Sequence, residues 1–424
     1  MDEERKFKLS ADIKEKKKSG TVLMTEGSIW KKLLIFSVPL ILGNLLQQLY
    51  STVDSIIVGN CVGKEALAAV GATGSIVNLL IAFSQGASVG AGVIISQYMG
   101  AKRKDDVKRA VHTAMAIAVI IGLVLTVTGV FMSRLFLVWM QTPDNIIDGA
   151  SLYLQIYCGG LLFNVLYNMC AGIFNAAGNS KRPLLYLGAA SVVNIALDLI
   201  LIQGFGMGVE GAAIATDASQ LVSCVMAIIY MVRVNADYKL FIRQIKVHRD
   251  MAIRIIKIGL PTAIGGSTMQ FGFLLMTKNV NVYGATAMTS YGIGNKINSI
   301  ITMPANGIGS AISTIVGQNI GAGQQERADK AYHYALRMGA LFLLFFGLIL
   351  SRRFISQAMV TFFSTDERVI PLATDFLSLM AFWCWSNAFY NVTQGLFQGS
   401  GHTMITMIVD ASRIWIFRLL TLWV

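Results

Sequence analysis

Four residues of this 424-residue chain combine chemically useful side chains with telling positions: Asp54, Asn194, Asp198 and Thr216. All four fall within long apolar runs, and Asn194 and Asp198, four apart, share one face of any helix they occupy. A carboxylate at mid-membrane depth costs at least ~2.5–3.5 kcal/mol on insertion scales, so one that persists usually has a job. If their helices pack together, the four offer only oxygen ligands, the chemistry a hard cation such as Na+ requires. A buried carboxylate can equally carry a proton. The structural alternative is a neutral, hydrogen-bonded acid or an ion pair inside a bundle. Asp217 adjoins Thr216 and therefore points to a different face.

Other polar residues recur at helical spacing within apolar runs. Asn44, Gln47 and Ser51 lead to Asp54, and Ser75, Asn78 and Gln85 follow in the next run. Asn164, Asn168 and Asn175 form a third stripe, Asn298, Thr302 and Asn306 a fourth, and Asn387, Asn391, Gln394 and Gln398 a fifth. One such face is explained as packing glue, worth roughly 0.6 kcal/mol per contact. Five faces read better as the lining of a hydrated cavity. Gln47, Asn164, Asn168, Asn387, Asn391 and Gln398 are the candidates for lining a substrate path, with Met and Phe side chains giving adaptable apolar contact.

The elements that must position these groups are transmembrane helices. Hydrophobic residues make up 54% of the chain and charged ones 14%, against about 25% charged in an ordinary soluble domain. Apolar runs long enough to cross a bilayer lie near 31–58, 66–99, 107–134, 151–176, 183–203, 211–232, 252–283, 287–319, 331–351, 370–399 and 403–424. The chain also contains itself twice. Gln97, Gly100, Ala101 and His112 return 221 positions later as Gln318, Gly321, Ala322 and His333. Asn164, Asn168, Gly172, Phe174 and Gly178 meet Asn387, Asn391, Gly395, Phe397 and Gly401 at a spacing of 223. Six spans per copy make the repeat parallel, as in secondary transporters with a path between two related lobes.

The net charge of +12 is a topology signal, not a nucleic-acid one. Alternate polar segments, beginning with the N-terminal one, hold 25 Lys and Arg, whereas the intervening loops hold 5. That alternation puts the N-terminus and central linker in the cytoplasm. The expected organisation is a tail over 1–28, an N-lobe of helices 1–6 over 29–233, a linker over 234–250, and a C-lobe of helices 7–11 over 251–424. Residues 1–24 lack the apolar core of a signal peptide and read as a mobile cytoplasmic tail. The linker segment 237–250 suits either a helix lying in the interface or a simple connector. The partner of the sixth span would lie beyond Val424, so a truncated twelve-span protein is the favoured reading. Five scattered cysteines lack metal-ligand spacing, and the four within spans read as packing residues.

The second copy lacks the acids: Leu275 and Met276 stand opposite Asp54, and Thr421 opposite Asp198. Coupling chemistry is therefore expected in the N-lobe alone. In the C-lobe, Lys278, Lys296, Arg337, Asp375, Asp410, Arg413 and Arg418 read as interior ion pairs or as side chains snorkelling to an interface. Pro304 should kink its helix. Four separated histidines, without a nucleophile or metal cluster, argue against an enzyme.

The segments SVPLILGN (37–44), VDSIIVG (53–59), ALAAVG (66–71), QYMGAK (97–102), VNIALDLI (193–200) and GVEGAAIAT (208–216) together resemble the multidrug and toxic compound extrusion (MATE) family over residues ~25–424. The absence of an acid in PTAIGGSTMQFGFLLM resembles the family's DinF-like branch. The resemblance implies an all-α membrane protein of two six-helix bundles arranged as a V, with the last helix missing here. It implies an N-lobe cation site at Asp54, Asn194, Asp198 and Thr216, and export of organic, often cationic compounds against an inward Na+ or H+ gradient. A monomer in the bacterial inner membrane is expected, in contact with lipid and without nucleic acid or cofactor. The alternative is a flippase for lipid-linked oligosaccharides or cell-wall precursors. Its anionic cargo would want basic residues facing the cavity.

Overall fold

The computed structural model describes residues 22–418, and these are α-helical, with no strand among them. Fourteen helices run in order: α1 (Ile29–Ile57), α2 (Lys64–Gly100), α3 (Lys104–Trp139), α4 (Asp144–Gly159), α5 (Leu161–Ala176), α6 (Lys181–Asp198) and α7 (Val209–Arg233) form the first half. The second half comprises α8 (Arg249–Asn281), α9 (Ala285–Gly321), α10 (Gln325–Leu350), α11 (Arg353–Thr361), α12 (Val369–Trp383), α13 (Ser386–Ser400) and α14 (Thr403–Ser412). Side chains such as Phe131, Trp139, Val192 and Phe205 point outward from apolar helices, as only a lipid-facing surface tolerates on this scale. Residues 1–21 and 419–424, Thr421 among them, lie outside the described residues.

Seven helical stretches are long and apolar enough to cross a membrane, and nine if each of two bent pairs is one span. The two other expected spans are α8, whose polar and small residues dilute its hydropathy, and the stretch from Thr403, described to Arg418. The bends were not legible in the sequence. α4 meets α5 at 48°, and α12 meets α13 at 51°, at equivalent points of the two copies. α9 runs unbroken through Pro304. In place of an interfacial helix, the linker has one short turn at Ile242–Gln244, and it buries Tyr238 and Leu240 in the N-terminal core.

The repeat is visible in the contacts. α2 packs along α8, and α9 crosses both α1 and α2, so each half lends a long helix to the other. Where the tips of α2 and α9 cross, a Cβ on Gly100 would lie 1.8 Å from the Gln318 carbonyl oxygen. A Cβ on Gly321 would lie 1.9 Å from that of Gln97, so only glycine permits this approach on either side. Gln97 Nε2 donates to the Gly399 carbonyl at 3.2 Å, and Gln318 Nε2 donates to that of Ala176 at 2.7 Å. Gly178 and Gly401, two residues beyond these carbonyls, both adopt left-handed backbone to end their helices. The paired glycines and glutamines seal one end of the cleft between the halves.

The same end carries a strap. Val22 N donates to Gly178 in the first half, and Met24 N donates to Gln318 Oε1 in the second at 2.9 Å. Arg327 donates to the carbonyls of Met24, Glu26 and Gly27. Basic loops gather here too, tied by Lys104 to Asp237 and Arg109 to Asp250.

Candidate functional site

A cavity of about 1000 Å³ opens between the halves beyond the sealed end. α1 contributes Asn44, Gln47, Tyr50, Ser51 and Asp54 to its wall, a stripe recurring every three or four residues and so facing one way. α2 adds Asn78 and Gln85, α5 adds Asn168 and Asn175, and α7 adds Thr216. The second half answers with Ser299, Thr302, Asn306 and Gln398.

Asp54 ends the α1 stripe and is 9% exposed. Its carboxyl neighbours that of Asp198, which is fully buried behind the wall beside Asn194 on the same face of α6. Asp54 Oδ1, both Asp198 carboxyl oxygens and both polar atoms of the Asn194 amide find no hydrogen-bond partner among protein groups. No Lys or Arg is among the groups acting on either acid. Two neighbouring carboxyls at this depth, without a base, are suited to share a cation or a proton. Among the described residues no three His, Cys, Asp or Glu side chains converge as a transition-metal site would need. Two carboxylates with amide and hydroxyl oxygens nearby fit a hard monovalent cation instead.

Both acids lie beside irregular helix. α1 widens to a π turn at Val58–Val62, and α6 does so at Leu199–Gly204. Such bulges loosen the helical ladder and are frequent at functional sites. A third lies at Arg413–Arg418, three residues past Asp410.

Among the path candidates, Gln47, Asn168 and Gln398 line the central cavity. Asn164 stands behind Asn168, accepting a hydrogen bond from it at 2.8 Å. Asn387 and Asn391 face a second cavity of about 830 Å³ within the C-terminal half. Ser299, Thr302 and Asn306 belong to both walls, so the two spaces adjoin along α9. Asp217 sits against Gly160 at the α4–α5 bend, where a Cβ would lie 2.2 Å from its carboxylate. That makes it a brace for the bend.

Sequence reasoning passed over the aromatic wall. Tyr50, Tyr153 and Tyr157 all line the central cavity, with the last two stacked at 6.2 Å. Tyr50 lies one turn before Asp54, a signal that was available. The C-terminal charges also need correction. Lys278, Lys296 and Arg337 are exposed, and Asp375 pairs with Arg353 on the surface. Arg413 and Arg418 both line the 830 Å³ cavity. Asp410 is buried, accepting hydrogen bonds from the Tyr390 hydroxyl and from Gln394 Nε2. The four cysteines within spans are buried and free.

The MatE family matches residues 39–200 and 261–424, the two copies of the repeat. The "Probable multidrug resistance protein YpnP" of Bacillus subtilis is 29% identical over 93% of this chain and 88% of its own length. The "Probable multidrug resistance protein NorM" of Thermotoga maritima is 26% identical over 92% of this chain and 84% of its own. The solved structure described as the "Outward-facing conformation of a multidrug resistance MATE family transporter of the MOP superfamily" superposes with a TM-score of 0.86. It is 24% identical, covering 94% of this chain and 88% of that one.

Proposed function

This chain belongs to the MatE family, a multi-pass membrane transporter and not an enzyme, and on that premise we propose that it exports small organic compounds in exchange for inward Na+ or H+. The observation that carries the reading is the pair of neighbouring carboxyls at Asp54 and Asp198, buried with oxygens that no protein group hydrogen-bonds, one at the cavity wall and one sealed behind it. The multidrug-resistance names of the relatives support the substrate class.

The mechanism is alternating access. The glycine–glutamine seal closes the end bearing the basic loops, which charge placement assigns to the cytoplasm. The central cavity then faces outward, across what the composition and relatives suggest is the bacterial inner membrane. A cation or proton reaching Asp54 and Asp198, with Asn194 and Thr216 as neighbouring ligands, neutralises the pair. That shifts the π-widened end of α1 and expels substrate resting against Gln47, Asn168 and the tyrosines. Exchange requires that ion and substrate weaken one another's binding, which is a reciprocal coupling free energy. One chain builds both cavity walls, so a monomer suffices.

Efflux of ethidium from proteoliposomes, driven by an imposed Na+ or pH gradient, tests this. Wild type should respond to one gradient, which names the ion. Asp54→Asn and Asp198→Asn should each lower the response ten- to a hundredfold. Undiminished gradient-driven efflux in both variants would overturn the coupling assignment.

A further inference from the structure

The linker between the halves is pinned at several points and carries positive charge that no nearby carboxylate answers. Side chains alternate along it: Tyr238 and Leu240 are buried in the N-terminal core, so Lys239 and Phe241 turn outward. Leu240 N donates to the Met231 carbonyl at 2.9 Å, and Phe241 N donates to His112 Nε2 at 3.1 Å. His112 therefore carries its proton on Nδ1, which donates to the Lys108 carbonyl at 2.7 Å. Farther on, His248 N donates to Thr113 Oγ1 at 3.2 Å. The Phe241 ring stacks on that of His112, and two ammoniums converge on it. Lys108 Nζ lies 4.5 Å from the ring centre and Lys239 Nζ 5.5 Å. The linker's own carboxylates, Asp237 and Asp250, are taken up by Lys104 and Arg109. Among the described residues no carboxylate pairs with Lys108, Lys239, Arg243 or Lys246. Phe241, Ile242 and Val247 stand exposed among these bases. The exposed apolar surface of α3 begins at Ile120, about 12 Å along the helix from His112, which sets Phe241 at headgroup level above it.

We infer that this patch docks the headgroup of an anionic phospholipid, its phosphate held by Lys108 and Lys239 while Phe241 and Ile242 enter the interface beside it. Two ammoniums drawn to one ring repel each other, and an anionic phosphodiester between them removes that cost. Basic and apolar side chains mixed on one short stretch match the border between headgroups and acyl chains. A soluble polyanion would leave Phe241, Ile242 and Val247 in water, which favours the lipid as occupant. Because the linker joins the halves and is tied to α3, a lipid bound here anchors the N-terminal half at its basic end. The inference goes beyond the transport reading and needs neither its coupling ion nor its cargo.

Photolabelling of the purified chain in nanodiscs tests this, with adducts mapped by peptide mass spectrometry. The two probes are phosphatidylglycerol and phosphatidylcholine, each carrying a diazirine beside the glycerol and differing in net charge. In wild type, residues 238–247 should take about tenfold more of the phosphatidylglycerol label, the order expected of two bases after salt screening. Lys108→Gln and Lys239→Gln should each cut that preference about threefold, and the double variant should bring it to about one. Lys239→Arg should keep it, which separates lost charge from a displaced linker. Equal labelling of 238–247 by both probes in wild type, or a preference unchanged in the double variant, would overturn the inference. Loss of the preference on adding inorganic phosphate, but not sodium chloride of equal ionic strength, would assign the bases to a soluble anion and overturn it as well. Persistence of the preference in phosphate supports the lipid.

Discussion

The two halves of this molecule began as one sequence and now do different electrostatic work. In the first half, Asp54 and Asp198 face each other without a base, at a point where two helices widen. In the second, the buried acid Asp410 is already engaged by Tyr390 and Gln394, with Arg413 over the same ring. An unsatisfied acid pair invites a mobile cation, whereas a satisfied acid beside a base does not. The difference teaches that duplication preserved the cavity and the helix packing while the buried charges diverged.

The sharpest way to break this comparison is to neutralise one acid in each half. Asp198→Asn should lower the gradient response of efflux by ten- to a hundredfold, within the range of typical coupling energies. Asp410→Asn should change that response less than about twofold. Equal losses would mean that both halves couple. The seal tests what the halves still share. Gly100→Ala should cost about 3 kcal/mol of apparent stability in detergent unfolding, because its Cβ meets backbone rather than a yielding side chain. Gly321→Ala, its partner, should match it, and a large asymmetry would deny that the crossing is two-fold. Within the second half, Tyr390→Phe keeps the ring under Arg413 but removes the hydroxyl from Asp410, which should cost about 2 kcal/mol. Detergent unfolding reads that loss, and an unchanged stability would mean the hydroxyl's contact with Asp410 contributes nothing. The smallest effect belongs to the strap. Arg327→Ala leaves the carbonyls of Met24, Glu26 and Gly27 to water, for about 1 kcal/mol, read as faster proteolysis near residue 27.

Much of this was legible in the residues. The repeat matches Gln97 with Gln318, and the structure places the two at one crossing. Asp54 and Asp198 stood out because a carboxylate inside an apolar run needs a reason. The stripe at Asn44, Gln47, Ser51 and Asp54 faces the cavity as its spacing required. Other features depend on tertiary packing. The bend before Leu161 sits at Gly160, yet its counterpart falls at Cys384 and Trp385, so no shared residue announces it. It is fixed by neighbours, Asp217 against Gly160 and Cys384 Sγ on the Leu343 carbonyl. Asp410 reads in the sequence as an ion-paired or snorkelling charge and not as a counterpart of Asp198, because it stands eleven positions before Thr421. That is about 16 Å along a helix, enough to move it into a different environment. Arg413 was assigned to snorkelling because composition cannot tell a side chain that reaches the interface from one lying on a tyrosine inside a cavity.

The central claim is that the acid pair of the first half links ion to cargo, and ethidium affinity measured with and without the coupling ion tests it most directly. In wild type, the ion should weaken ethidium binding about tenfold, and in Asp198→Asn affinity should no longer depend on it. An undiminished ion dependence in Asp198→Asn would contradict the account.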